Sequence, residues 1–148
     1  MNSKQSCIQH KQVPAKVTAY VDEGIKELVE LLNTIPKVCT IESCEGDNTR
    51  PACVSLDYGV DYDDNNYDIY ALVEFADKLW GVIKDAEFKG KVPAGTMEYI
   101  TISIEWHPRY HPVLWINVGK QYIKALAHIL RLYRNGRIPC RQQYKFEN

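Results

Sequence analysis

The chain has 148 residues, of which 45% are hydrophobic, and this size and composition indicate one globular domain with one core. Its formal net charge of −1 gives no overall attraction to nucleic acid or to an acidic membrane. No stretch approaches the roughly 18 apolar residues of a membrane-spanning helix, so we expect no membrane partner.

The cysteine pattern favours reduced thiols. The five cysteines are an odd number and form no Cys-x-x-Cys pair, and the first residues lack the apolar core of a signal peptide. We therefore expect a cytoplasmic protein whose cysteines are not paired.

Charge is unevenly distributed along the chain. Between Glu42 and Asp77 there are ten acidic residues and one basic residue, Arg50. From residue 107 to residue 148 there are eight basic residues and one acidic residue, Glu147. This asymmetry is typical of two solvated faces or of subunits that meet head to tail, and it also leaves room for an anion site near the basic part.

The chain is expected to fold as one domain over residues 14–136. A polar, patternless arm over residues 1–13 should precede it, and a basic tail over residues 137–148 should follow it. A short strand is predicted from Lys16 to Tyr20, because alternate residues there are apolar.

The first clear periodic pattern predicts a helix from Glu23 to Thr34. Asp22 is suited to cap its N-terminus, and Pro36 ends the pattern. Apolar residues recur at the spacing of one helix face: Ile25, Leu28, Val29, Leu32 and Ile35.

A β-hairpin is predicted next. Its strands run from Val38 to Cys44 and from Ala52 to Leu56, and the turn between them, Glu45 to Pro51, contains glycine, asparagine, aspartate and proline. Residues 57–66 form a polar loop that places acidic side chains at three calcium-ligand positions of an EF-hand. The loop lacks the required glycine and the final glutamate, so an EF-hand is excluded.

The acidic end of that loop is instead suited to cap a second helix, predicted from Tyr67 to Asp85. The capping candidates are Asp64, Asn66 and Asp68. The predicted buried stripe consists of Ile69, Val73, Ala76, Leu79, Trp80 and Ile83.

A second hairpin and a third helix complete the pattern. Strict alternation predicts a strand from Tyr99 to Trp106, and its partner runs from Val113 to Val118. The last helix is predicted from Lys120 to Arg134. The element order (β)αββαββα predicts an α+β fold, a two-layer sandwich in which an antiparallel or mixed sheet of two hairpins carries three helices.

The first candidate site is the turn of the first hairpin. Gly46 would allow a positive φ and a close approach of the backbone to a ligand. Acidic neighbours argue against a thiolate nucleophile at Cys44, so we expect a turn that shapes a ligand site. Its candidate residues are Ser43, Cys44, Gly46, Asp47 and Arg50.

The second candidate site is the turn of the second hairpin. In an extended chain, His107, Arg109 and His111 would point the same way, and Trp106 precedes them. A guanidinium between two imidazoles is suited to a phosphate or carboxylate. We predict no metal site, because a third ligand would have to come from elsewhere.

Three motifs in the first third of the chain resemble a set of small stand-alone proteins of bacteria and phages without an assigned activity. They are Val21-Asp-Glu-Gly-Ile25, Leu31-Leu-Asn-Thr-Ile-Pro36 and Thr40-x-Glu-Ser-Cys-x-Gly-Asp47.

More remotely, the second and third motifs are similar to the opening motif of the Tyw3 family, α+β proteins that methylate a modified guanosine of tRNA with S-adenosylmethionine. The Tyw3 motif reads Thr-Ser-Ser-Cys-Ser-Gly-Arg. Here Glu45 replaces the serine after the cysteine and Asp47 replaces the arginine, so the basic residue of the motif is lost.

The sequence favours a non-catalytic protein without a cofactor that binds a small anionic, nucleotide-like ligand. In a phage, such a protein would sequester a nucleotide signal of the host. Two alternatives stay open: a Tyw3-like RNA-modifying methyltransferase, and a homo-oligomeric interaction module. The residues that could contact RNA phosphates form a basic arc on the last helix: Lys120, Lys124, His128 and Arg131.

Overall fold

The computed structural model describes residues 12–14, 20–61, 66–106 and 111–134. The strands are β1 Gln12–Pro14, β2 Tyr20–Asp22, β3 Val38–Cys44, β4 Ala52–Tyr58, β5 Ile100–Trp106 and β6 Pro112–Val118. The helices are α1 Lys26–Asn33, α2 Ile69–Phe88 and α3 Ile123–Arg134. Short 3-10 turns precede α1, β5 and α3, at Glu23–Ile25, Thr96–Tyr99 and Lys120–Tyr122.

The main sheet contains four strands in the order β3-β4-β6-β5, and each neighbouring pair is antiparallel. β1 and β2 form a separate two-stranded sheet. The predicted α+β sandwich is therefore confirmed, with both hairpins in one sheet. β1 begins at Gln12, within the stretch predicted as an arm over residues 1–13, and residues 1–11 lie outside the described residues.

One apolar cluster joins the helices to one face of the sheet. Alternate residues of the two central strands belong to it, and so do buried leucines of all three helices. Strand alternation places these sheet residues on a common face, so the helices form a single layer over it. The fully buried members on β4 and β6 are Ala52, Val54, Leu56, Leu114, Ile116 and Val118.

The start of α1 differs from the prediction. The Asp22 side chain makes no hydrogen bond to the first turn that follows it, and a 3-10 turn comes before the α-helix. Instead, the buried carboxylate accepts a hydrogen bond from the N–H of Glu45, at 2.9 Å. Asp22 thus joins the start of the helix to the turn after β3, a contact between residues far apart in the sequence.

The N-terminal cap of α2 is confirmed at Asp68. Its carboxylate accepts hydrogen bonds from the backbone N–H groups of Tyr70 and Ala71. The predicted buried stripe is partly wrong, because Val73 is half exposed. Leu79 and Ile83 are buried as predicted, and three other predicted residues pack against the core while partly exposed: Ile69, Ala76 and Trp80. The remaining buried side chains of α2 are Leu72, Phe75, Val82 and Ala86.

The basic arc predicted on the last helix is interrupted by an ion pair. Arg131 of α3 contacts Glu27 of α1. Its charge is therefore shared with a neighbouring helix. Among the described residues, no helix is both long enough and apolar enough to cross a membrane.

Candidate functional site

The two hairpin turns lie at opposite ends of the sheet. Ala52, the first residue of β4, pairs with Val118, the last residue of β6. The β3–β4 turn is therefore beside the end of β6, whereas the β5–β6 turn precedes its start. The length of a seven-residue strand, roughly 20 Å, separates them. We call them the Gly46 end, which contains residues 44–52, and the Trp106 end, which contains Trp106, His111 and the end of β4.

This separation bears directly on the predicted site residues. A site that combines Ser43, Cys44, Gly46, Asp47 and Arg50 with Trp106 and His111 is not formed, because the two groups lie at opposite ends. His107 and Arg109 lie outside the described residues. Each end is therefore considered by itself.

At the Gly46 end, the polar groups of the turn are bonded to one another. The Asp47 carboxylate accepts hydrogen bonds from the N–H and hydroxyl of Thr49 and from the N–H of Arg50. It also accepts from the Arg50 guanidinium. The Thr49 backbone bond, with the Thr49 hydroxyl and Arg50 side-chain bonds next, holds the pKa of Asp47 well below its usual range.

Gly46 has no room for a side chain. Its φ is +72°, and a Cβ atom built on it would lie 2.6 Å from the backbone nitrogen of Ala52. Glycine is required here by both the backbone conformation and the approach of the returning chain. The turn is thus closed on the side of Gly46 by its own backbone.

The two described cysteines near this end are poorly suited to nucleophilic catalysis. Cys44 is buried and disulfide-bonded. Cys53 is free, as is Cys39, which pairs with Asp57 at the other end of the sheet. The expectation of reduced thiols is therefore wrong for Cys44. Burial, followed by the negative charge of Glu42, raises the pKa of Cys53, which disfavours its thiolate.

At the Trp106 end, a buried polar pair connects the two central strands. Nε2 of His111, just before β6, lies 2.5 Å from Oδ1 of Asp57, near the end of β4. Asp57 is 1% exposed and His111 is 5% exposed. An ionised carboxylate can only accept, so this geometry assigns the Nε2 proton to the imidazole. The pair fixes the orientation of the ring of His111.

Two aromatic side chains, Tyr67 and Trp106, lie at the same end of the sheet as this pair. The ring of Tyr67 meets the ring of Trp106 edge to face, with 5.8 Å between centroids, and lies 6.4 Å from the ring of His111. Trp106 is 65% exposed although Tyr67 contacts it. An indole that one ring contacts and that is otherwise open to solvent offers a flat surface for a planar ligand.

A cation lies at the same end of the sheet. The ammonium group of Lys37 lies 6.0 Å from the centroid of the Tyr58 ring, which stacks on Phe75. Lys37 has a φ of +70°, and its carbonyl accepts a hydrogen bond from the N–H of Gly59, at 2.8 Å. The left-handed backbone is unusual for lysine and places its exposed side chain beside the end of β4.

Three residues of the Trp106 end were not predicted from the sequence: Lys37, Asp57 and Tyr67. Only Asp57 could have been found from the sequence. It directly follows the predicted buried strand β4, and a carboxylate buried there needs a hydrogen-bond partner. Lys37 and Tyr67 have no such signal in the sequence, because they reach this end only through the fold. Among the described residues, no group of His, Cys, Asp and Glu side chains could hold a metal ion.

No family model, curated protein or solved structure matches this chain. The resemblance of its first third to Tyw3 proteins and to small bacterial and phage proteins stays an expectation from the sequence.

Proposed function

We propose that the chain binds a small anionic, nucleotide-like ligand at the Trp106 end, without catalysing a reaction on it. The observation that carries the proposal is the exposed indole of Trp106, which Tyr67 contacts in a T-shaped arrangement. Base–aromatic stacking contributes about 1–3 kcal/mol per base. An indole that is already oriented loses little freedom when a ring stacks on it.

The charges available near this surface are suited to an anionic group. The five-residue connection between β5 and β6 contains His107 and Arg109, and Arg binds phosphate or carboxylate in a bidentate way. Lys37 adds an exposed cation at the same end of the sheet. The nearby carboxylate of Asp57 is buried and bonded to His111, so it does not face the ligand directly.

Binding alone would suffice for a biological role. A protein that holds a nucleotide signal lowers its free concentration, which suits the hypothesis of a phage protein that sequesters a signal of the host. The Tyw3-like alternative depends on the Ser43–Asp47 turn. That turn uses its polar groups internally and is closed at Gly46, so its described geometry adds no support for a substrate site there.

The first experiment is native mass spectrometry of the chain purified without stripping, followed by titration with nucleoside monophosphates, diphosphates and cyclic dinucleotides. We expect a retained ligand or a saturable change in tryptophan fluorescence. A clean apo mass together with no binding of any of these compounds at millimolar concentration would refute the proposal.

Substitutions then test whether the ligand binds at the Trp106 end. Trp106→Ala should weaken binding by about tenfold or more, because it removes the stacking surface. Phe88→Ala is the matched control: Phe88 is 89% exposed and lies at the far end of α2, so binding should not change. Arg109→Ala should weaken binding to a similar extent. Equal ligand affinity of this variant and the unmodified protein would show that Arg109 does not contact the anionic group of the ligand.

A further inference from the structure

The two edges of the four-stranded sheet differ. At one edge, β3 is interrupted by a bulge between Thr40 and Glu42, and β2 lies against it. At the other edge, β5 pairs with β6 without interruption from Ile100 to Trp106. Bulges, prolines and lysines are the features that keep an edge strand from pairing with another chain. β5 contains none of them.

The backbone of β5 has groups that point outward from the sheet. The N–H of Gly119 donates to the carbonyl of Tyr99, at 2.8 Å, so the backbone of Tyr99 faces β6. Alternate residues of an antiparallel ladder face the same side, so residues 101, 103 and 105 also face β6. The backbone groups of residues 102, 104 and 106 therefore face outward. In the part of the chain that the structure describes, no strand pairs with this edge.

We propose that β5 is a dimerisation edge and that its occupant is β5 of a second copy of this chain. The two strands run antiparallel across a two-fold axis at Ser103. Each four-stranded sheet then continues into the other, and both helical layers lie on the same side. Formation of this interface does not require the proposed ligand, although Trp106 belongs both to the end of β5 and to the proposed ligand surface.

The register follows from the backbone and from charge. With the axis at Ser103, Ile102 lies opposite Ile104 of the second copy, and the two residues exchange both hydrogen bonds of a pair. Glu105, the one charged residue of β5, lies opposite the neutral Thr101 of the second copy. An axis at Glu105 would place two carboxylates opposite each other, and it would pair fewer residues.

The exposed apolar surface of β5 supports the same partner. Trp106 is 65% exposed and Tyr99, just before the strand, is 47% exposed. In the Ser103 register, Trp106 lies opposite Ile100 of the second copy. Ile102 and Ile104 are only partly buried in one copy and would lie beside their counterparts. Pairing therefore adds apolar contacts in the middle of the strand.

The test is sedimentation velocity of the full chain over a range of concentrations, with two lysine variants on the same exposed side of β5. Ser103→Lys places two like charges opposite each other at the axis and should weaken the dimer by about tenfold or more. Thr101→Lys adds the same charge opposite Glu105 and should leave the dimer as strong or stronger. Because both side chains are exposed, neither variant should change the unfolding temperature of the monomer.

A cysteine pair tests the register independently. Ser103→Cys should give a covalent dimer on mild oxidation, because directly opposed residues of a non-hydrogen-bonded pair have Cα atoms about 4.5 Å apart, within disulfide range. Thr101→Cys should give no more covalent dimer than the unmodified chain, since its counterpart would be several residues away. A monomer at all concentrations, or a dimer that Ser103→Lys does not weaken, would overturn the proposal.

Discussion

The Gly46 end and the Trp106 end of the sheet each contain an aspartate bonded to a basic side chain, but the two pairs have different surroundings. Asp47 and Arg50 are exposed, three residues apart, and belong to one turn. Asp57 and His111 are buried, 54 residues apart, and connect two strands. The local pair shapes a loop, whereas the distant pair fixes how the sheet is assembled beneath the exposed aromatic rings.

This difference explains why a glycine turn with polar residues is a poor indicator of a binding site here. At the Gly46 end, the backbone of the returning strand fills the space that the missing side chain leaves, and Asp47 takes up the N–H groups that an anion would need. At the Trp106 end, the polar pair of Asp57 and His111 is buried and the ring of Trp106 is exposed, and the proposed ligand site is therefore placed there.

The largest expected effect is a loss of stability on substitution of Gly46. Gly46→Ala should lower the free energy of unfolding by about 3–5 kcal/mol, because it adds both backbone strain and a clash with the main chain near Ala52. Denaturant unfolding followed by circular dichroism measures it.

The matched control for Gly46 is Gly90. Its φ is +69°, almost the same as that of Gly46, but nothing lies within 4 Å of its built Cβ. Gly90→Ala should therefore cost only about 1–2 kcal/mol, the backbone contribution. Equal losses for the two variants would show that space at the Gly46 turn is not limiting.

The second prediction concerns the buried pair at the Trp106 end. Asp57→Ala should destabilise the fold by about 3 kcal/mol, because it leaves the buried imidazole without its carboxylate, and it should also weaken ligand binding by releasing His111. The double variant Asp57→Ala/His111→Ala should lose less stability than the sum of the two single variants. Additive losses in this double-mutant cycle would contradict a coupled pair.

The smallest expected effect is the pH dependence of the stability that Asp47 contributes at the Gly46 end. The pKa of Asp47 is lowered in the folded chain, so its ionised form stabilises the fold above the ordinary aspartate pKa of about 4, and this contribution is lost as pH falls through the lowered folded value. Asp47→Asn should therefore lower the unfolding temperature slightly at neutral pH, and the difference should shrink below about pH 4.

Asp77→Asn provides the control for loss of one exposed carboxylate in α2. It should change the unfolding temperature less than Asp47→Asn at neutral pH. A difference between Asp47→Asn and the unmodified chain that grows on acidification would contradict the assigned hydrogen bonds.

Local sequence patterns were sufficient for most secondary structure. β3 has the predicted bounds, Val38–Cys44, and β5 differs by one residue. Turn residues and alternation are local properties, so they can be seen in a short window. Asp68 was likewise predicted as a cap because the N–H groups that it accepts from are two and three residues away.

Predictions failed where distant parts of the chain compete for the same group. Asp22 has the sequence position of a helix cap, but its carboxylate accepts a hydrogen bond from the N–H of Glu45, 23 residues away. In α2, both Val73 and its neighbour Leu72 are apolar, so the sequence allows either of two adjacent helix faces to be buried. Packing against the sheet selects the face with Leu72 and Phe75.

The residue pattern alone predicts two hairpins separated by a long helix, and therefore two turns with candidate site residues. Where the two turns lie depends on which strands pair in the folded sheet. If β5 had paired with β4 in antiparallel orientation, both turns would lie at the same end of the sheet. Because β6 pairs with β4 instead, the second hairpin is reversed and the turns are separated. The 20-residue helix α2 between the hairpins allows either arrangement, so burial across the whole sheet, together with the Asp57–His111 pair, selects between them.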